Sequence, residues 1–233
     1  REYAKAHREE LERVYGLLAD DHSRKVLRDV VEYKLTGDIK LLRGCESEPR
    51  EAWENILRPG KEEHYMDLGA YTGDTIAEFI GYAGEWRRIT ALEPDPVTFA
   101  KLERNTAGLH DCILYRLGAY SRYARLPFAG GAGRGSHLAA GGAMTELDSV
   151  DNILCGQTVS LINMDVEGME AEAIAGMAKT LRRHRPKLLI AGYHRSEDLW
   201  RLPLEVLAIQ PEYKVYVRHY PCLPAWDVNF YFV

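Results

Sequence analysis

Along the first sixty residues the apolar positions recur at helical spacing, and after them they gather into short runs separated by helical stretches. In residues 2 to 19, Leu11, Val14, Tyr15 and Leu18 fall at steps of three and four, which predicts an amphipathic helix. Lys5–Glu9, Arg8–Glu12 and Glu9–Arg13 place opposite charges four apart on its other side. Asp20 or Asp21 is placed to cap a second helix that turns Val26, Leu27, Val30 and Val31 inward and stops near Gly37. A third helix spans Arg50 to Leu57 and ends at Arg58-Pro59-Gly60.

From residue 61 the period changes. Strands are predicted at His64–Leu68, Arg88–Leu92, Ile113–Leu117, Val159–Met164, Lys187–Gly192, Tyr213–Arg218 and Val228–Val233. Helices are predicted between most of them, at Thr75–Tyr82, Pro96–Thr106, Met169–His184 and Glu197–Ile209. Strands that alternate with helices imply an α/β fold, a doubly wound and mostly parallel sheet. Only Pro221 to Asp227 separate the last two strands, too few residues for a parallel crossover, so the sheet should finish in an antiparallel hairpin. The expected division is an N-terminal helical cap over 1–60 and an α/β domain over 61–233.

Charge narrows the function classes. A net charge of −5 argues against a general nucleic-acid binder, which would carry a basic footprint. The dense run Arg182-Arg183-His184-Arg185 precedes Pro186, where cations suit the end of a helix. Cys45, Cys112, Cys155 and Cys222 form no metal-binding spacing, which fits a reduced, cytoplasmic setting. No apolar run approaches the ~20 residues of a membrane helix. Residues 129 to 143, rich in glycine and alanine, read either as a mobile surface loop or as a lid over a substrate.

The chemistry gathers at strand ends. The first strand runs into Asp67-Leu68-Gly69-Ala70-Tyr71-Thr72-Gly73-Asp74, where glycines permit a tight turn and close approach of a ligand to the main chain. Open α/β sheets bind ligands at this edge. The spacing is neither a dinucleotide fingerprint nor a phosphate loop. Asp67 and Asp74 disfavour an anion and suit a ligand with positive charge. The next strand ends at Glu93-Pro94, where a carboxylate is placed to accept both hydroxyls of a ribose. Further on, Met164-Asp165-Val166-Glu167-Gly168-Met169-Glu170 sets three carboxylates directly after an apolar strand. Glu170 suits the start of the following helix. The strand after that ends at Tyr193-His194, one strand over from Asp165. Asp165 and His194 are too few for a metal site, and could equally form a base and its orienting partner.

The segments DLGAYTG, ALEPDP, LGAYS, ELDSV, NMDVEGMEAEAIAGM and RPKLLIAGYH resemble the FkbM-type S-adenosylmethionine-dependent methyltransferases, from about Asp20 to the C-terminus. The resemblance implies a class I Rossmann-like fold and O-methylation of a hydroxyl on a sugar or small-molecule acceptor, with S-adenosylhomocysteine as the product. It implies that Asp67, Gly69, Ala70, Tyr71, Gly73 and Asp74 hold the methionine end of the cofactor. Glu93 and Pro94 would hold the ribose, Gly118 and Ala119 would lie beside the adenine, and Asp165 would border the methyl group. Asp165, Glu167 and His194 are the expected catalytic residues, with no metal. The acceptor is expected to be a small molecule or glycan, with a homodimer formed through the N-terminal helices and no nucleic-acid partner. A non-catalytic cofactor-binding or scaffold protein is the main alternative; an NAD-dependent oxidoreductase is disfavoured by the missing fingerprint.

Overall fold

The computed structural model describes residues 5–129, 137–138, 143–221 and 227–233. Most of the glycine-rich stretch read as a loop or lid, residues 130–136 and 139–142, lies outside the described residues. The chain opens with helices α1 (Arg8–Leu17), α2 (Asp21–Thr36) and α3 (Ile39–Gly44), then a helical turn at Pro49–Glu51 that continues as a π-helix over Ala52–Leu57. There follow β1 (His64–Leu68), α4 (Asp74–Ala83), β2 (Arg88–Leu92), α5 (Pro96–Thr106) and β3 (Cys112–Tyr115). Four short strands come next: β4 (Gly118–Ala119), β5 (Ala124–Ala129), β6 (His137–Leu138) and β7 (Ala143–Asp148). The remainder is α6 (Val150–Leu154), β8 (Leu161–Met164), α7 (Glu170–Gly176), α8 (Ala178–His184), β9 (Lys187–Ala191), α9 (Asp198–Ile209), β10 (Val215–His219) and β11 (Val228–Phe232).

The main sheet has seven strands in the order β10-β11-β9-β8-β1-β2-β3, the mostly parallel α/β sheet that the alternation predicted. Two compact units divide the chain: residues 58–187, and residues 1–57 together with 188–233. The sequence drew its boundary at residue 60 instead, with everything after it in one domain.

In unit 58–187, β1 pairs in parallel with β2 on one side and β8 on the other, and every residue of β1 is buried. Apolar residues dominate β1, β2 and β8, as a strand covered on both faces requires, and among the polar exceptions Asp67 and Asn163 bond to each other. Tyr65 of β1 stacks on Phe79 of α4 with ring centroids 4.2 Å apart, which fixes that helix on the sheet. A second sheet, β4-β7-β5-β6, is absent from the sequence reading. Its β5 is interrupted by Pro127, and its β7 exposes three of its six residues, so neither gives the pattern of a buried strand. The single helix expected over Met169–His184 is two helices, α7 and α8, broken at Met177. The Asp151 carboxylate of α6 accepts the main-chain N–H groups of Lys179 and Thr180 at 3.0 and 2.8 Å, capping α8 from outside its own segment. Arg182, Arg183 and His184 occupy the last turn of α8, as the dipole argument requires.

In the other unit, β10 and β11 form the antiparallel hairpin expected from the short connection, and β11 also pairs antiparallel with β9. Asp20 caps α2 by accepting the Ser23 N–H at 2.6 Å, and Gly37 closes it in the left-handed region. The N-terminal helices fold onto this hairpin. Leu18 bridges to Val215, and the Ala19 N–H donates to the Val215 carbonyl at 2.8 Å. Arg218, 2% exposed, reaches back to Asp20 and Glu51, each at 2.8 Å. Among the described residues, no helix is long and apolar enough to cross a membrane.

Candidate active site at the strand ends

The turn after β1 is shaped by its glycines. Gly69 has φ +85°, and a Cβ there would lie 1.9 Å from the Asp165 carbonyl oxygen. No side chain fits without moving the end of β8, so the glycine sets how closely the two strand ends approach. Gly73, at φ +89°, leads into α4, whose first residue is Asp74. Between them the N–H groups of Gly69 and Ala70 both donate to the Leu92 carbonyl, at 3.0 and 2.9 Å, tying the turn to the end of β2. Tyr71 takes φ +48° and aims its N–H at Glu93 Oε2, 3.0 Å away.

Two acids sit beneath this turn. Asp67 is 0% exposed, with Oδ1 accepting from Asn163 Nδ2 at 2.9 Å. Its Oδ2 accepts from the Tyr65 hydroxyl at 3.2 Å and the Thr75 hydroxyl at 2.5 Å. Burial pushes its carboxyl up to about 6, against the pull of these bonds. Glu93 is 7% exposed and accepts one main-chain N–H on each oxygen, from Tyr71 and, at 2.8 Å, from Asp95. Burial pushes Glu93 up to about 7, with Asp95 and Asp67 adding repulsion. Gly118 follows β3 and approaches both neighbours: a Cβ there would lie 2.4 Å from Leu147 and 3.8 Å from the Pro94 side chain. Ala119, buried beside it, pairs in register with Asp148 of β7.

The acidic stretch after β8 divides into distinct parts. The Asp165 N–H donates to the Leu68 carbonyl at 2.9 Å, so this residue continues the β1–β8 ladder into the turn. Glu167 and Gly168 both take positive φ, 55° and 91°. Glu170 is 1% exposed and holds this turn together: its Oε1 accepts from the N–H groups of Val166 and Gly168 at 3.1 and 3.3 Å. Asp165 and Glu167 are half-buried in the same turn. His194 follows β9 in the other unit, its ring 4.4 Å from that of Tyr193.

This arrangement of turns after consecutive parallel strands agrees with the comparisons. The model of the methyltransferase FkbM domain matches residues 67–216, which covers the glycine turn after β1, the Glu93 segment and the acidic turn. The chain belongs to the FkbM methyltransferase family. An FkbM methyltransferase from Methylobacillus flagellatus KT superposes with TM-score 0.87 and 27% identity, over 99% of this chain and 60% of that one. The chain therefore spans 60% of the length of that FkbM relative. At the level of fold alone, fibrillarin from Aeropyrum pernix, solved with natively bound S-adenosyl-L-methionine, superposes with TM-score 0.51 at 14% identity over 79% of this chain and 71% of its own. An rRNA methylase from Streptococcus thermophilus gives 0.52 at 12% identity over 80% and 96%. No match was found among curated proteins.

Sequence reasoning missed the partners of Asp67 at the candidate site of this FkbM-family chain. Asn163, Thr75 and Tyr65 together occupy the Asp67 carboxylate. One signal was available: Asn163 is a polar residue inside the apolar run of β8, 4% exposed and opposite Asp67 in the strand register.

Proposed function

We propose that this methyltransferase-family chain binds S-adenosylmethionine over the turns that follow β1, β2 and β3. It then transfers the methyl group to a hydroxyl of a small-molecule or sugar acceptor and leaves S-adenosylhomocysteine. The observation that carries the reading is Glu93. Each of its oxygens receives one main-chain N–H, which leaves each a lone pair for one hydroxyl of a ribose. The residues fit such a cofactor in charge as well, because Asp67 and Glu93 are buried acids beside a glycine turn that admits close approach. That a fibrillarin of the same fold holds S-adenosyl-L-methionine supports the choice of cofactor.

When bound, the cofactor supplies an electrophilic methyl carbon on a positively charged sulfur. The chain has two tasks beside it. One is to hold the acceptor oxygen in line, about 3–3.5 Å from the methyl carbon. The other is to take the proton that the hydroxyl loses. Gly69, Ala70, Tyr71, Gly73 and Asp74 are proposed to shape the methionine end, with Gly118 and Ala119 beside the adenine. Asp165, Glu167 and His194 are proposed as the groups that orient the acceptor and receive its proton.

Calorimetry with S-adenosylmethionine, followed by labelled methyl transfer to a panel of hydroxylated acceptors, tests the reading. Binding and transfer are expected; no binding, or binding without transfer to any acceptor, overturns it. For the base, His194→Ala is expected to lower kcat by ~10²–10⁴ while cofactor affinity holds. Wild-type turnover in that variant would leave His194 a structural role.

A further inference from the structure

Asp67 and Glu93 share an uncommon property. Both are buried acids, and none of their hydrogen-bond partners carries positive charge. Among the described residues, the titratable groups that act most strongly on Asp67 and Glu93 are Tyr65 on β1, Asp74 at the start of α4, and Asp95 beyond β2, with Asp67 itself acting on Glu93. Thr75 from α4 and Asn163 from β8 are neutral. A buried carboxylate is normally paired with a cation, because its desolvation is otherwise poorly offset. Among the described residues, the hydrogen bonds to these two acids come from dipoles and not from a cation.

Asp67 is also closed to direct contact. It is 0% exposed, Asn163 occupies one oxygen, and Tyr65 and Thr75 occupy the other. A charge, unlike a hydrogen bond, still acts across a layer of main chain, and in a poorly polarisable interior it acts strongly.

We propose that Asp67 is a specificity-determining residue which, without touching the ligand, favours the positively charged sulfonium donor at the β1 turn over the product that has lost that charge. The inference rests on the cofactor reading above. Transfer of the methyl group to the acceptor returns the bonding electron pair to sulfur, so the sulfonium becomes a neutral thioether. The ribose and the amino acid group are the same before and after, and their contacts cancel in the comparison. What remains is the sulfur charge, which the ionised Asp67 attracts in the donor and has no counterpart for in the product. The residue would then aid release of product as well as selection of donor.

Burial holds the Asp67 carboxyl at about 6, so in the empty site its charge is developed over the range in which binding is measured. Below that range Asp67 is neutral and distinguishes nothing; above it the donor gains. The test is calorimetric binding of S-adenosylmethionine and S-adenosylhomocysteine to the full chain at pH values on both sides of 6. The ratio of donor to product affinity should rise with pH, by roughly tenfold for each pKa unit of coupling between sulfur and Asp67. Repeating the titrations in buffers of different ionisation enthalpy should show more protons released by the donor than by the product.

Asp67→Asn should flatten the pH profile of the ratio. The substitution keeps the fold's bonds available, because the Thr75 and Tyr65 hydroxyls can accept as well as donate. Glu93→Gln should weaken both ligands together and leave the ratio as it was. A wild-type ratio independent of pH, with equal proton release, overturns the proposal, and so does a pH-dependent ratio that survives Asp67→Asn. Should that variant fail to fold, the wild-type profile and proton count decide alone. Failure of both ligands to bind overturns the cofactor reading itself and this inference with it.

Discussion

At the scale of single residues, the two strand-end acids carry the sharpest expectations. Glu93→Ala removes the proposed acceptor of two ribose hydroxyls, and bonds to a charged acceptor contribute ~1.5–3 kcal/mol each. S-adenosylmethionine affinity should fall at least roughly tenfold with the fold intact, as measured by calorimetry and circular dichroism; equal affinities would remove Glu93 from the site. The same acids should mark the ligand-free protein. Their folded-state values, about 6 for Asp67 and about 7 for Glu93, lie above those of an unfolded chain, near 4. Between those limits the native state holds protons that the unfolded chain has released, so these two groups lower stability as pH rises. Wild type should therefore lose stability relative to Glu93→Gln between about pH 4 and pH 7, followed by thermal unfolding. A pH-independent difference between the two proteins would show that folding leaves the Glu93 carboxyl unshifted.

Among the elements, the acidic turn after β8 shows how three similar residues divide. Glu170 folds the turn through the N–H groups of Val166 and Gly168, while Asp165 and Glu167 remain in the half-buried part of it. At the break between α7 and α8 a distant side chain supplies the cap. Asp151 caps α8 through two N–H groups and the Thr180 hydroxyl, the last at 2.7 Å. Asp151→Ala should cost ~1 kcal/mol or somewhat more, read from urea unfolding, because a lost cap leaves helix donors unsatisfied. No change in midpoint would mean that water replaces the carboxylate without loss. Gly69→Ala should be far worse than a usual glycine substitution, since the added carbon meets the Asp165 carbonyl and the backbone is left-handed there.

For the whole molecule, the first 57 residues form one compact unit with residues 188–233. Val14, Leu18, Val26, Leu27 and Val30 are all buried. Removing residues 1–57 would strip the cover from β10 and leave Arg218, 2% exposed, without Asp20 and Glu51. The fragment 58–233 should accordingly be insoluble or bind a hydrophobic dye; a monomeric, soluble fragment with a cooperative unfolding transition would show that the unit does not need its N-terminal helices. Arg218→Met asks the milder question. A broken buried ion pair commonly costs 3–5 kcal/mol, but the Asp20 and Glu51 side chains are 34% and 36% exposed and can rehydrate. A loss of about 2 kcal/mol is the expected outcome in denaturant unfolding, and a stabilised variant would show that packing outweighs charge at this position.

What the sequence determined by itself was whatever depends on near neighbours. Apolar runs and helical periods located β1, β2 and α5 to the residue, and the short Pro221–Asp227 connection forced the β10–β11 hairpin to be antiparallel. The glycine turn and the acid after β2 were visible because each is a local pattern at a strand end. Tertiary structure decided whatever depends on residues far apart in the chain. Asn163 neutralises no charge, yet it fixes Asp67 across the β1–β8 register from 96 positions away. Asp151 caps α8 where periodicity would have continued a single helix, and the second sheet forms from strands that are very short, interrupted by proline or largely exposed. Periodicity reports which face of an element is covered. It carries no record of which distant side chain arrives to satisfy a buried carboxylate or a free N–H, and those arrivals are what fix the two strand ends.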